Sequence, residues 1–234
     1  MGRRVHLWAF GDAGAPLVVF PSNAGVAHEW QKEGMIEALA PLLQAGRAKL
    51  YCVESNVSEA WTKKEVPIDL RMQRHEAYER WVLDRMVPFI RDDCRWSDAP
   101  ITTAGCSLGA TYAINFALKH PHVFRRAIGM SGRYLTTEVA GKYSHPTLYF
   151  NNPLAYMSNI GGAALDHVRS NTRLTIVCGR GKWEEGCIEE TIALGELLDR
   201  IGVPCETDIW GYESFHDWPW WKRQAMHHFG RIFA

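Results

Sequence analysis

A serine framed as Gly105-x-Ser107-x-Gly109, after the apolar run "ITTA" and before "LGATYAINFALK", has the spacing of a nucleophile on a sharp strand-to-helix turn. A serine hydroxyl reacts poorly until a base takes its proton, a carboxylate steadies that base, and fixed N–H donors receive the developing oxyanion. In a chain of 234 residues the five-residue pattern arises by chance about one time in ten at average glycine and serine usage, so its context must decide. The competing reading is an ordinary strand-to-helix turn. The context favours the nucleophile: Ala104, Ala110 and Ala113 keep the surroundings small, and both glycines fit positions where neighbouring backbone leaves no room for a Cβ. Cys106 is expected to be a buried thiol, because residues beside an elbow serine point away from its hydroxyl.

The scaffold that carries such a turn places its partners in the order nucleophile, acid, histidine. His216, in "ESFHDWPWW", falls between the last strand-like run and the last helix-like run, where the base belongs. His227 and His228 lie within that helix and are expected at its surface; His120 and His122 flank a helix stop, and His28 is on an early loop. Asp217 reads as the helix N-cap, with Trp218 and Pro219 opening the helix. The acid should come from "RGKWEEGC", where Glu184 and Glu185 are the candidates. Glu184 is preferred, leaving Glu185 near the start of the next helix, where negative charge suits the dipole. Glu206 and Asp208 sit within a strand. One oxyanion donor follows from the elbow itself, the backbone N–H of Leu108. The second is sought in "SNAG" after "LVVFP": Asn23 first, with Ser22 and Ala24 as alternatives, unless that stretch is only a turn-rich connection. This chemistry calls for no cofactor and no metal.

The elements that must position these groups can be read from periodicity. "VHLWAFG" alternates like an edge strand, followed by "GDAGAP" as a hairpin turn. "LVVFP", "AKLYCVES", "ITTAGC", "RRAIGMSG", "RLTIVCG" and "CETDIWG" read as further strands. Helical spacing runs through Met35, Ile36, Leu39 and Leu42–Leu43 to Gly46, then over a long stretch from Leu70 to Ile90 in which Pro88 should cause a bend. Later helices are expected at 108–120, 187–201 and 218–233. Strands alternating with helices predict an α/β fold with a mostly parallel central sheet, helices on both faces, and function at the carboxyl ends of the strands. The irregular stretch at about 133–172 is expected to be a cap-like insertion in a single domain covering 1–234.

Lysines plus arginines number 26 and aspartates plus glutamates 26, with no long run of either sign, which argues against nucleic-acid binding and a polybasic membrane patch. No run of about 20 apolar residues could span a bilayer, and no secretory signal pattern is legible, so a cytoplasmic location is expected. The six cysteines form no Cys-x-x-Cys pair and read as reduced thiols. No partner chain is called for, and a homo-oligomer is left open.

With "GCSLG", "CGRGKWEEG", "FHDWPWW" and "LVVFPSNAG" followed by "EWQKEGMIEAL", the chain resembles the putative-esterase branch of the α/β-hydrolases, which includes enterochelin esterases, esterase D-like enzymes and mycolyltransferases. "HDWPWW" is the most specific of these stretches and Gly-x-Ser-x-Gly the least. The resemblance implies an α/β-hydrolase fold, Ser107 as nucleophile, His216 as base, a glutamate of "GRGKWEEG" as acid, and backbone donors at Leu108 and after "LVVFP". The expected function is a serine carboxylic ester hydrolase working through an acyl-enzyme on a small-molecule ester. An acyltransferase, admitting an alcohol in place of water, is the alternative; a non-catalytic binding module would require a broken triad. Trp30, Trp61, Trp183, Trp218 and Tyr156 lie near predicted loop ends and are candidates for the substrate pocket, with core packing the competing reading.

Overall fold

The computed structural model describes residues 2–234; Met1, the first residue of the expected 1–234 unit, lies outside it. The apolar runs become the strands of one sheet: β1 (Leu7–Phe10), β2 (Ala15–Phe20), β3 (Ala48–Val53), β4 (Ile101–Cys106), β5 (Phe124–Met130), β6 (Arg173–Cys178) and β7 (Cys205–Ile209). Their spatial order is β1-β3-β2-β4-β5-β6-β7. β1 runs antiparallel to β3, and every other pair is parallel. Continuous apolar character marks the strands covered on both faces: every residue of β4 is buried, whereas edge strands β1 and β7 are only partly covered.

The expected hairpin between the first two strands is not formed. β1 pairs with β3 (Leu7 opposite Val53, Phe10 opposite Leu50), and β2 flanks β3 on its other side. Turn-forming residues encode a reversal of the chain, which does occur, but not the strand that will be hydrogen-bonded afterwards.

Side chains of β2 alternate between the two faces. Val18 and Phe20 enter a core with Tyr51, Tyr78, Tyr112 and Phe116, while Leu17 and Val19 enter another with Trp30, Leu50, Ala104 and Phe229. Phe20 stacks on Phe116 with centroids 5.3 Å apart, and Trp30 on Phe229 at 6.4 Å. Each such buried aromatic contributes about 1.5–3 kcal/mol through surface removed from water.

The helical stretch before Gly46 is broken into α1 (Glu29–Lys32), α2 (Met35–Ala38) and α3 (Ala40–Gln44). Gly34 adopts φ +75° between the first two, and Pro41 opens the third. After α4 (Val57–Ala60), the long amphipathic stretch forms α5 (Ile68–Trp81), a π-helical turn over Val82–Met86, and α6 (Val87–Asp93). The wider turn lies just ahead of Pro88, which cannot donate to the helix ladder and whose ring would crowd the carbonyl four residues back. The expected bend is thus absorbed as a π-turn. α7 (Leu108–Lys119) follows β4, α12 (Cys187–Arg200) follows β6, and α13 (Trp218–Ile232) ends the chain. Among the described residues no helix is long and apolar enough to cross a membrane.

The 133–172 segment is less irregular than its composition suggests. It holds α8 (Thr137–Ala140), α9 (Pro146–Tyr149), α10 (Pro153–Tyr156) and α11 (Gly162–Asn171). Buried polar contacts fasten it to the sheet-covering helices. The Arg71 guanidinium, on α5, donates to the carbonyls of Ala60 (2.6 Å), Trp61 (2.6 Å) and Ala140 (3.0 Å). His75, one turn further on, bonds through Nε2 to Asn151 Oδ1 at 3.0 Å.

Burial is the main cause that lowers the His75 pKa from 6.5 to about 4. The unfolded chain takes up that proton below about pH 6.5 and the folded chain only below about 4, so falling pH favours unfolding across this window. Urea midpoints should therefore decline as pH is lowered from about 6.5 to about 4, and the decline should be shallower in His75→Gln. An identical slope in the two proteins would contradict the assignment.

Candidate active site

β4 delivers Ser107 to the carboxyl edge of the sheet, where the chain turns at once into α7. Ser107 adopts φ +55°, a left-handed conformation that disfavours a residue with a Cβ. The surroundings enforce it: its N–H donates to Met130 O at 2.8 Å, and its carbonyl accepts from Ala110 N–H at 3.0 Å. A Cβ on Gly105 would strike the Gly109 backbone, and one on Gly109 would strike the Phe20 carbonyl. Both glycines are therefore required by close backbone passage. Cys106 is fully buried, and burial pushes its thiol well above the ordinary range, so it offers no thiolate.

His216 Nε2 lies 3.0 Å from Ser107 Oγ, and His216 Nδ1 lies 3.1 Å from Glu184 Oε2. A carboxylate can only accept, so Nδ1 carries the proton and Nε2 presents its lone pair to the hydroxyl. The loops bearing His216 and Glu184 are joined backbone to backbone. Gly181 N–H donates to Ser214 O (2.9 Å), Arg180 N–H to Gly211 O (3.2 Å), and His216 N–H to Lys182 O (3.1 Å). Asp217 accepts from Trp218 N–H at 2.7 Å and caps α13, fixing where the His216 loop ends.

Glu184 is only 1% exposed, whereas Glu185 is exposed to solvent. Its Oε1 accepts from Ser131 Oγ at 2.6 Å and from Gly179 N–H at 3.4 Å. Ser131 in turn accepts from Trp221 Nε1 at 3.0 Å, and the Trp221 ring meets His216 edge-on with centroids 4.9 Å apart. Ser131 and Trp221 are the residues that sequence reasoning missed. Ser131 follows β5 much as Ser107 follows β4, with φ +54°, and Trp221 belongs to the "WPWW" run; neither fact reveals the chain of bonds from Trp221 through Ser131 to Glu184. Cys178 Sγ sits 3.3 Å from Glu184 Oε2, and Cys187 Sγ 3.8 Å from His216 Nδ1. Burial, reinforced by the glutamate charge, raises both thiols, Cys187 to about 12. All six cysteines are free.

Leu108 N–H stands at the first position of α7, where a helix offers it no internal acceptor. Of the alternatives for the second donor, Ser22 drops out, because its N–H donates to Glu29 Oε2 at 2.5 Å and its hydroxyl to Glu29 Oε1 at 2.6 Å. Among the described residues no acceptor takes the N–H of Asn23 or of Ala24, both exposed on the next positions of a loop that packs against Gly109. Glu29 is a further residue missed in the sequence. It is 6% exposed, burial raises its pKa, and its two bonds shape the loop that carries Asn23.

The aromatic candidates separate. Trp61, 5% exposed, lines an apolar cavity with Leu108, and Tyr156 sits behind it, its hydroxyl donating to Asn115 Oδ1 at 3.0 Å. Trp30 is 1% exposed and belongs to the opposite core, with Trp218 packed edge-on against it. Their place is structural. Trp183 is exposed under the Lys182 ammonium, at 4.1 Å. His228, expected at the surface, is buried and bonds Asp208 Oδ2 at 3.0 Å across α13 and β7; only His227 is exposed. Among the described residues, metal-type donor atoms gather within 4.8 Å in two places, Glu184–Cys187–His216 and Asp208–His227–His228. In the first, the hydrogen bonds already described engage the glutamate and the imidazole.

The Nδ1 proton should give a downfield imidazole resonance protected from solvent exchange, and Glu184→Ala should abolish it. An unprotected proton in the unaltered protein would contradict the described pair.

The sequence matches the model of a family described as Putative esterase over residues 52–232. No curated protein matches it. Among solved structures, a ferulic acid esterase is similar with a TM-score of 0.72 at 15% identity, covering 99% of this chain and 98% of that one. An S-formylglutathione hydrolase from Staphylococcus aureus gives 0.71 at 15% identity, over 96% and 83%. A fluorophosphonate-binding serine hydrolase of the same organism gives 0.61 at 16% identity, over 95% and 85%. These likenesses establish an α/β-hydrolase fold, and the family match covers most of the chain: the protein belongs to the Putative esterase family and is an esterase.

Proposed function

We propose that the protein is a serine carboxylic ester hydrolase in which Ser107 is the nucleophile, His216 the general base and Glu184 the orienting acid. The observation that carries this reading is the unbroken line of short contacts, 3.0 Å from Ser107 Oγ to His216 Nε2 and 3.1 Å from Nδ1 to Glu184. Ser107 Oγ attacks the ester carbonyl as its proton passes to Nε2. The resulting imidazolium is stabilised by the buried carboxylate, which stays ionised. The oxyanion lies between the N–H groups of Leu108 and Asn23, each such donor being worth about 3–4 kcal/mol of barrier. Collapse of the tetrahedral intermediate expels the alkoxide, which takes the proton from His216. Water then attacks the acyl-enzyme along the same route and restores the serine.

The substrate in this reading is a small-molecule ester, and the 133–172 segment serves as a cap, its Thr136 and Val139 meeting Leu108 around the apolar cavity.

Ser107→Ala should reduce turnover of a p-nitrophenyl ester on the order of a million-fold, as expected when the nucleophile of a unit of this kind is lost. Retained activity in that variant would refute the assignment. Ser131→Ala removes a bond to a buried charge, of a type worth about 1.5–3 kcal/mol. It should lower kcat by about tenfold or more while KM holds, because Ser131 touches the acid and not the ester. An unchanged kcat would show that Glu184 needs no such support.

A further inference from the structure

Two residues that line the apolar cavity beside Leu108 carry buried polar atoms without partners among the described residues. Trp61, Tyr112 and Phe116 supply its aromatic wall, and His75 and Thr136 are among its polar positions, with Thr111, Asn115 and Asn151. His75 is 3% exposed and Thr136 2% exposed, yet His75 Nδ1 and Thr136 Oγ1 have no hydrogen-bond partner among the described residues. Buried polar groups are nearly always satisfied, so two orphans in one cavity call for a ligand group or a solvent molecule.

The surrounding network decides what that group must be. Asn151 Oδ1 accepts from Asn115 Nδ2 at 2.7 Å and from Lys119 Nζ at 3.3 Å, while Asn151 Nδ2 donates to Thr147 O at 2.8 Å. The amide is thus oriented, and His75 Nε2, 3.0 Å from the same oxygen, must be the protonated nitrogen. His75 Nδ1 is consequently a bare lone pair on an imidazole that burial keeps neutral at pH 7. It demands a donor. The Thr136 hydroxyl can accept or donate. The cavity's free space of about 20 Å³ admits roughly one water-sized group, such as a hydroxyl, and not a ring.

We propose that this cavity recognises a terminal hydroxyl on the acyl part of the ester, an inference that rests on Ser107 being the nucleophile. The hydroxyl donates to His75 Nδ1 and shares a hydrogen bond with Thr136 Oγ1, and an apolar stem runs past Leu108, the residue that follows the nucleophile. The favoured substrates are then hydroxyacyl esters, over alkanoyl esters of equal length. The sequence showed Trp61 as a pocket candidate but gave no sign of His75 or Thr136, whose lack of partners exists only in the folded chain.

The test compares methyl esters of ω-hydroxyacyl and unsubstituted acids over a ladder of chain lengths, using the intact protein. At one length the hydroxyl should raise kcat/KM by about tenfold or more, as for sites whose buried polar groups are otherwise left unpaired. His75→Phe should erase that ratio, and Thr136→Val, which keeps the side-chain shape, should reduce it severalfold; thermal melting verifies that each variant is folded. No preference at any length, as when the cavity simply holds water, would overturn the proposal. So would a preference that survives in both variants. A wild-type protein that hydrolyses none of the esters and whose Ser107 resists a fluorophosphonate would overturn this proposal together with the nucleophile assignment; hydrolysis without the preference overturns the proposal alone.

Discussion

A carboxylate almost completely removed from water is the constraint around which the site is arranged. Glu184 loses its hydration and regains contacts from the Ser131 hydroxyl, the His216 ring and, at longer range, the Gly179 N–H. An ionised group left short of partners in such a place would neutralise or drag the loop open. Satisfied, it fixes which imidazole nitrogen carries the proton, and hence which one faces the serine. Ser131, held by Trp221, and the backbone bonds between the loops at 180–182 and 211–216 all serve that one placement.

Ser107 is fixed by a different force, steric exclusion. Gly105 and Gly109 let the β4–α7 turn pass close to itself and to the end of β2. The same closeness sets the loop after β2 against the first turn of α7, where the Leu108 amide projects. Glu29 then directs that loop by taking both the amide and the hydroxyl of Ser22, while the amides of Asn23 and Ala24 have no acceptor among the described residues. The Ser107 turn and the free amides beside it, the proposed nucleophile and oxyanion donors, are therefore two products of one packing arrangement.

Most of the sheet was legible because strands buried on two faces write themselves as unbroken apolar runs, and the candidate site was legible because chain order in this architecture dictates where acid and base must fall. Local chemistry shows less. The turn after β1 announced a reversal but not that β3 would intervene. His228 looked like a surface residue of an amphipathic helix, but its pairing with Asp208 across the sheet edge depends on tertiary placement. Trp30 and Trp61 are the same residue type near similar loop ends, and only folding sends one into the core and the other to a cavity wall. Ser131, Trp221 and Glu29 escaped for the same reason: each matters through a contact with a residue far away in the chain.

The most direct measurement of the central claim is a crystal structure of the protein after reaction with a fluorophosphonate. The account predicts phosphorus bonded to Ser107 Oγ, one phosphonyl oxygen between the Leu108 and Asn23 amides, and His216 still bridged to Glu184. An adduct on any other residue, or a phosphonyl oxygen turned to solvent with the imidazole displaced from Glu184, would contradict it.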